Sequence, residues 1–161
     1  MAGLVGRPRH IYDKFLFRVE FDGITYAGFQ KVSEPKGQHA LIEHWEGGSL
    51  ISDKSPGRTT FPNITAERGT TDDLEIYDWW SSVGNAASGT RGKGLPTPQF
   101  KRTGDIIQYD RDESELQRWR FVNLFPVDYT PGDWDNTTDE KQITQVVFAY
   151  DYFFPVRRPV G

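Results

Sequence analysis

Alternation of apolar and polar side chains is the clearest pattern in the chain. In residues 15–21 every second side chain is Phe or Val, as in a strand with one buried face. Asp22-Gly23 follows and leads to an apolar run over 24–31, which predicts a β-hairpin because both turn positions accept positive φ. Similar runs predict strands over 38–45, 63–68, 101–109, 116–125 and 142–154, the last with Val146, Phe148, Tyr150, Tyr152 and Phe154 on one face.

One segment has helical periodicity. Apolar residues at helical spacing predict a single helix of about three turns that packs on a sheet. Thr70 and Asp73 have the spacing of a capping box, and Gly84 is the expected end of the helix. The residues expected to pack are Leu74, Ile76, Trp79, Trp80 and Val83.

The remaining segments indicate loops around one domain that spans residues 1–161. Residues 49–62 are rich in Ser, Gly, Pro, Lys and Thr and show no periodicity, so a long exposed loop is expected there. An N-terminal arm over 1–13 and a C-terminal tail over 155–161 are expected outside the strands. The fold class is mainly β, with two packed antiparallel sheets in a barrel-like sandwich and one flanking helix.

Composition agrees with a small, aromatic β-domain. The chain has 161 residues, of which 36% are hydrophobic and 14% aromatic, so the core must depend on aromatic side chains. Cysteine is absent, which excludes disulfides and thiolate metal sites. The net charge of −4 argues against a dedicated nucleic-acid binder. No secretory signal or membrane-spanning run is present, so synthesis in the cytoplasm is expected.

Candidate catalytic and ligand-binding motifs are weak. His39 and Glu43 share a strand face, but two ligands are too few for a closed zinc site. The acidic alternation over 133–139 lacks the Gly and closing Glu of a calcium loop. No nucleophile elbow, phosphate loop or dinucleotide fingerprint occurs, so neither an enzyme nor a bound cofactor is expected. In 118–121 alternation separates two arginines from two aromatic residues, and the aromatic pair is assigned to the core.

The order of several segments resembles that of phage tail tube proteins, which serve contractile phage tails, tailocins and extracellular contractile injection systems. The segment Ile42-Glu-His-Trp-Glu-Gly-Gly48 resembles the family's E-x-R-E-G-G segment. Residues 64–70, followed by Leu74 and Trp79 or Trp80, resemble its I-T-L-x-R-G-x-T block. The similarity covers about 13–154 and also includes 17–23 with 28–29, 102–109, 119–126 and 146–154. Leu124-Phe125 and His44-Trp45 depart from the family pattern.

The resemblance implies hexameric rings that stack into a hollow tube inside a contractile sheath. Implied partners are further copies of the chain, the sheath protein, baseplate or hub proteins, a tube terminator, and DNA or protein cargo in the lumen. The ring-stacking residues chosen from the 49–62 segment are Ser49, Leu50, Ile51, Ser52, Asp53, Lys54, Arg58 and Phe61. Candidates for the lumen wall are Arg18, Glu20, Gln38 and His44.

A monomeric β-sandwich that binds carbohydrate through Trp45, Trp134 or Tyr129 is the alternative interpretation. Within the tube interpretation, the sequence leaves open a phage or an injection system, the main tube or a baseplate-end paralogue, the nature of the cargo, and the strand faces that line the lumen.

Overall fold

The computed structural model describes residues 16–22, 24, 28–87 and 100–157, with the backbone alone at 85–87. The predicted N-terminal arm and the 88–99 segment lie outside the described residues. The elements in chain order are β1 Phe17–Phe21, β2 Lys31–Val32, β3 Gln38–His44, β4 Asp53–Thr60, β5 Ile64–Gly69, α1 Glu75–Ala87, β6 Arg102–Tyr109, β7 Glu115–Thr130, β8 Ile143–Ala149 and β9 Tyr152–Pro155.

Two antiparallel sheets share strand β7. Sheet I has the order β1-β6-β7-β9 and uses the first part of β7, where Ile106 stands opposite Trp119 and Phe121 opposite Phe153. Sheet II has the order β7-β8-β5-β2 and uses the last part of β7, from Phe125 onward. The predicted two-sheet, mainly β architecture is therefore confirmed.

A bend in β7 lets one strand serve both sheets. Asn123 has φ 54°, in the left-handed region that Asn tolerates better than most residues. Its side-chain amide donates a hydrogen bond to the Asp151 carboxylate, at the turn between β8 and β9. The register then shifts between Pro126 and Asp128, as at a β-bulge.

Aromatic rings fill the space between the sheets. Phe21 lies 5.3 Å from both Trp79 and Phe148, measured between ring centroids. Phe121 contacts Tyr150 at 5.0 Å and stacks on Phe153 at 5.6 Å. Trp119 and Phe121 thus belong to the core side of sheet I, as the alternation predicted.

The helix is confirmed, but both of its predicted ends are wrong. Asp73 accepts a hydrogen bond from the Glu75 backbone N–H at 2.9 Å, whereas Thr70 contacts Thr144 on β8 instead of forming a capping box. Gly84 does not end the helix, because the helix continues to Ala87. Leu74 precedes the helix and is 57% exposed, so it does not pack with the others. Of those others, Ile76 and Trp79 are buried and Trp80 and Val83 are partly buried.

The expected loop over 49–62 is wrong as well. Residues Asp53–Thr60 form β4, which pairs with β3 in a two-stranded sheet separate from sheets I and II. The strand predicted over 38–45 is present as β3, but β4 has no buried side and shows no apolar alternation that a sequence pattern could detect.

Two further strand predictions need correction. Gly23 and residues 25–27 of the predicted hairpin lie outside the described residues. In the described part, Phe21 and Ile24 form a single bridge, and β2 pairs with β5 and not with β1. The predicted 142–154 strand is broken into β8 and β9 by the turn at Asp151. The break reverses the faces, so Phe153 packs inside while Tyr152 and Phe154 are exposed. Pro155 closes β9 and does not begin a tail.

No helix of the described residues is long and apolar enough to cross a membrane.

Replacing each of two glycines by alanine is expected to change the stability of the subunit in opposite directions. A Cβ at Gly104 would lie 2.7 Å from Leu124 Cδ2 and 3.0 Å from Phe21 Cδ1, both in the core, whereas nothing lies within 4 Å at Gly84. Gly104→Ala should destabilise the subunit by about 1–3 kcal/mol through overpacking. Gly84→Ala should stabilise it by about 0.4–1 kcal/mol, because alanine restricts the unfolded chain. Urea unfolding of dilute protein measures both, and a stabilising Gly104→Ala would contradict the packing described.

Candidate assembly surfaces

The β3–β4 hairpin projects from the sandwich. Every residue of β3 is exposed, with Leu41 at 60% and Ile42 at 44%. Among the described elements, each of its strands contacts only the other. An isolated two-stranded hairpin is marginally stable in water, so this one is expected to need a partner surface.

The end of the hairpin carries its most exposed apolar side chains. Trp45 is 64% exposed, Leu50 97% and Ile51 80%. The turn between the strands uses Gly48 at φ 86°, and Ser49 Oγ accepts a hydrogen bond from the Ile51 N–H at 3.2 Å. The turn is therefore ordered locally, although nothing in the described chain covers these apolar side chains.

The base of the hairpin is fixed to the sandwich by one aromatic residue. Phe61 lies 5.7 Å from Phe153 and 6.2 Å from Tyr150, between ring centroids. Gly37, on the other side of the base, lets this ring approach, because a Cβ there would stand 3.3 Å from Phe61 Cε1. Phe61 thus anchors the hairpin within its own subunit.

The other residues chosen for ring stacking fall on two parts of the hairpin. Ser49, Leu50, Ile51 and Ser52 lie in its end turn, and Asp53, Lys54 and Arg58 lie on β4. Lys54 stands opposite Glu43 across the strands, and this pair of opposite charge favours the register. Asp53 stands opposite His44.

The residues chosen for a lumen wall separate into two places. Arg18 and Glu20 lie on β1 in sheet I, whereas Gln38 and His44 lie at the two ends of β3 in the hairpin. The structure therefore does not bring the four side chains together on one face.

Sheet I carries an ionic network on the face that points away from the core. Asp105 accepts hydrogen bonds from Arg118 at 2.7 Å and from Arg120 at 3.0 and 3.2 Å. Arg118 also donates to Glu115 at 2.8 Å and lies 3.7 Å from Glu20. Strands β1, β6 and β7 are thereby connected by side chains as well as by the backbone.

Sequence reasoning found part of this network. Alternation predicts Arg118 and Arg120 on one face, but no local pattern marks Asp105 as their partner. Asp105 stands directly between Glu20 and Arg120 in the strand register. That pairing depends on which strands are neighbours, and strand order was not available from local patterns.

The same network sets the charge states of its members. Burial raises the pKa of Asp105, but hydrogen bonds from Arg120 and Arg118 outweigh this and hold its pKa below the usual range. The hydrogen bond to Glu115 raises the pKa of Arg118, so the guanidinium stays charged. Asp105 therefore remains ionised at neutral pH and offsets the charges of Arg118 and Arg120.

Sheet I ends on two strands that lack a second partner in the described chain. β1 pairs with β6, and β9 pairs with β7. In sheet II, the β7 edge is partly occupied by the helix, because Trp80 donates a hydrogen bond at 3.0 Å to the Val127 carbonyl. Free strand edges are places where another chain can add.

The aromatic residues of the carbohydrate-binding alternative lie on three separate elements. Trp45 is at the end of the hairpin, Trp134 is in the 131–142 loop, and Tyr129 is partly covered by Tyr77 and Trp80 of the helix. Among the described residues, no group of three or more His, Asp or Glu side chains is placed to hold a metal ion.

Comparison with known proteins decides between the interpretations. The family model of the T4-like virus tail tube protein gp19 matches residues 13–154. The chain belongs to this tail tube family. It is a structural subunit of a tube in a phage tail or a related contractile particle. No curated protein sequence matches it significantly.

Solved structures with this fold come from contractile injection systems. The sheath/tube terminator of the PVC extracellular contractile injection system matches with 20% identity and a TM-score of 0.77, covering 94% of this chain and 100% of that one. A chain of the PVC sheath–tube complex matches with 19% identity and a TM-score of 0.74, covering 92% of this chain and 93% of that one. The anti-feeding prophage tube-terminating cap matches with 20% identity and a TM-score of 0.75, covering 93% of each chain. These matches show that the tail tube subunit shares its fold with chains of such particles.

The ionic network predicts a pH-dependent contribution to the stability of the tail tube subunit. Replacing Asp105 by Asn should lower the free energy of unfolding by about 2–3 kcal/mol at pH 7, because Arg118 and Arg120 lose a buried charged acceptor. Since the folded pKa of Asp105 is depressed, its contribution is complete above the unfolded value of 3.8 and is lost as pH falls through the folded pKa.

Chemical unfolding of both proteins between pH 7 and pH 3 measures this difference. The gap between wild type and Asp105→Asn should narrow below about pH 3.8. Asp133→Asn, a change of the same charge in an exposed loop, is the control and should have little effect. If the difference in free energy of unfolding stayed constant across this pH range, the ionised Asp105 carboxylate would not be the source of the lost stability.

Proposed function

We propose that this subunit forms hexameric rings that stack into the inner tube of a contractile phage tail or injection system. The observation that carries the proposal is the solvent-exposed β3–β4 hairpin, which has apolar side chains at its end and, among the described residues, contacts the sandwich only at its base. Such a surface suits a subunit that completes its structure only on assembly. Membership of the tail tube family supports the same role.

Ring closure would use the two free edges of sheet I. Each strand of this sheet is antiparallel to the next, so β1 and β9 at its ends also run in opposite directions. β9 of one copy can therefore pair in antiparallel fashion with β1 of the next copy, and a head-to-tail contact of this kind closes into a ring.

Stacking of rings would use the hairpin. Its end carries Leu50 and Ile51, and its strands offer backbone groups and charged pairs to a neighbouring ring. Ser49, Ser52, Asp53, Lys54 and Arg58 lie around this apolar contact, while Phe61 holds the hairpin in place.

The partners then follow from the role. We expect the tube to contact a contractile sheath, a baseplate or hub, and a terminator, as the solved structures of similar fold come from a sheath–tube complex, a terminator and a cap. The lumen would conduct DNA or protein when the sheath contracts. The subunit would be made in the host cytoplasm and would act without catalysis or cofactor.

If the ring closes through sheet I, cysteines engineered at its two edges should cross-link neighbouring copies into a series of oligomers. The chain lacks cysteine, so Arg18→Cys on β1 combined with Tyr152→Cys or Phe154→Cys on β9 gives one reactive thiol at each end of sheet I. Oxidation or a short bis-maleimide should link neighbouring copies into a ladder on non-reducing gels that ends at six. Thiols at the two sites meet only if β1 and β9 of different copies are adjacent.

The matched control pairs Arg18→Cys with Glu67→Cys on sheet II, which should give no ladder beyond dimers. Equal ladders from both pairs, or dimers alone from the β1–β9 pairs, would contradict closure through sheet I.

If rings stack through the hairpin, charged residues at its end should still allow rings to form but should prevent the rings from stacking into tubes. Leu50→Asp with Ile51→Asp should leave the subunit folded, because both side chains are almost fully exposed, but should remove the apolar contact between rings. Negative-stain microscopy and analytical ultracentrifugation should then show rings in place of tubes. Trp134→Asp, at 80% exposure in another loop, is the control and should still form tubes. Normal tubes from the double variant would contradict the assignment.

A further inference from the structure

The two arms of the β3–β4 hairpin leave the sandwich at one place, beside the aromatic ring of Phe153 on β9. On the outgoing arm, Gly37 stands directly before β3, and a Cβ there would lie 4.0 Å from Phe153 Cε1. On the returning arm, Phe61 stands directly after β4, and its ring lies 5.7 Å from that of Phe153, between centroids. The hairpin base therefore rests on β9, which pairs with β7 alone among the described strands.

The side chain of Phe153 connects this base to the core. Its ring stacks on Phe121 at 5.6 Å and meets the edge of Trp119 at 5.7 Å, between centroids. Tyr150 lies 6.0 Å from Phe153 and 6.2 Å from Phe61, so it contacts both rings. Phe61 and Phe153 are both partly buried, at the margin of the core cluster. The position of Phe153 thus decides where Phe61, and with it the hairpin, comes to rest.

The backbone of Phe153 faces the free edge of sheet I. The Val156 N–H donates to the Arg118 carbonyl at 2.9 Å, across the ladder between β9 and β7. Because the direction of backbone groups alternates along an antiparallel strand, Phe153 directs its N–H and C=O away from β7. Pro155 has the same direction but carries no N–H. Phe153 is therefore the residue of β9 that offers a neighbouring strand both a donor and an acceptor.

Strand β1 has a matching edge. The Asp22 N–H donates to the Thr103 carbonyl at 3.0 Å, so by the same alternation Phe17 and Val19 direct their backbone groups away from β6. Their side chains pack into the core, as that of Phe153 does. In the proposed hexamer, pairing of the two edges would place Phe17 or Val19 of the next copy beside Phe153. Closure of the hexamer would therefore restrain Phe153 through both its backbone and its side chain.

We propose that Phe61 is a positioning residue that couples the two steps of assembly. Closure of the hexamer fixes Phe153, and Phe153 fixes the hairpin through Phe61 in the position that a second hexamer requires. In a free subunit the hairpin moves about its base, because β3 and β4 contact only each other among the described elements. This inference rests on the proposed hexamers and their stacking, and it adds the order of the two steps and the contact that sets this order.

A spin label at the end of the hairpin measures the coupling directly. The chain lacks cysteine, so Glu46→Cys, at an exposed position, provides a single thiol for a nitroxide. The parent protein for this experiment also carries Leu50→Asp and Ile51→Asp, so that contacts between stacked hexamers do not contribute. Size-exclusion chromatography separates free subunits from hexamers, and electron paramagnetic resonance spectra report the local motion of the label in each.

The mobile component of the spectrum seen in free subunits should be lost in hexamers of the parent protein. In Phe61→Ala hexamers it should persist, because the hairpin base no longer contacts Phe153. A label at Asp133→Cys, in another exposed segment, reports the tumbling of the hexamer and should respond alike in both proteins. With the natural hairpin end, Phe61→Ala should raise the concentration at which tubes appear by about tenfold, as expected for the loss of one aromatic contact.

Phe100→Ala is the matched control. It also removes a partly buried aromatic ring, but Phe100 contacts Phe125 at 5.4 Å, between centroids, and accepts a hydrogen bond from Trp79 of the helix. Hexamers of this variant should lose the mobile component as the parent does. If Phe61→Ala does not fold, Phe61→Leu replaces it, since leucine keeps an apolar side chain at the site but has no aromatic ring to pack on Phe153. It should retain part of the mobile component.

Three results would contradict the inference and leave the proposed assembly in place. The label could be as immobile in Phe61→Ala hexamers as in the parent, the parent hexamers could keep the mobile component, or Phe100→Ala could act as strongly as Phe61→Ala. The last result would indicate a general loosening of the core. Failure of the parent to form hexamers at any concentration is a different result, because it would overturn the proposed ring and this inference with it.

Discussion

The structure depends on the bend in β7. One strand of sixteen residues pairs with β6 and β9 in its first part and with β8 in its last part, and Asn123 turns it between the two. Because both sheets share this strand, their relative position is fixed by the backbone, and the aromatic core fills the space that the bend encloses. The exposed ends of sheet I also follow from it, since β9 can reach β7 only after the Asp151 turn.

The division between a stable body and an unsupported hairpin has a physical basis. The sandwich buries large rings such as Trp79, Phe121 and Phe148, and burial of this kind is the main favourable term in folding. The hairpin has no such burial and is connected to the body through Phe61. We therefore expect the subunit to keep its fold when free, and the proposed assembly would cover the hairpin with other copies of the chain.

Much of the fold could be predicted from the sequence, and what could not is informative. Strands β1, β5, β6 and β8 and the helix have one-sided patterns, so periodicity predicts them. The sequence predicts a loop at β4 because Ser55, Pro56 and Gly57 give no such pattern, and its pairing with β3 leaves most of its side chains in solvent. Gly84 looked like a helix end because a lone glycine in a helix costs only about 1 kcal/mol, which tertiary contacts override. The ionic network around Asp105 needed strand order, which local patterns do not contain.

The central claim is that this chain closes into a ring through sheet I and stacks through the β3–β4 hairpin. Cryo-electron microscopy of the purified, assembled protein tests it most directly, because the map locates each strand relative to the channel. We expect sixfold rings in a hollow tube, with β9 of each subunit beside β1 of the next and the β3–β4 hairpin in contact with the neighbouring ring. A monomer at every concentration, or a ring in which β1 and β9 of neighbouring copies are not adjacent, would contradict this arrangement.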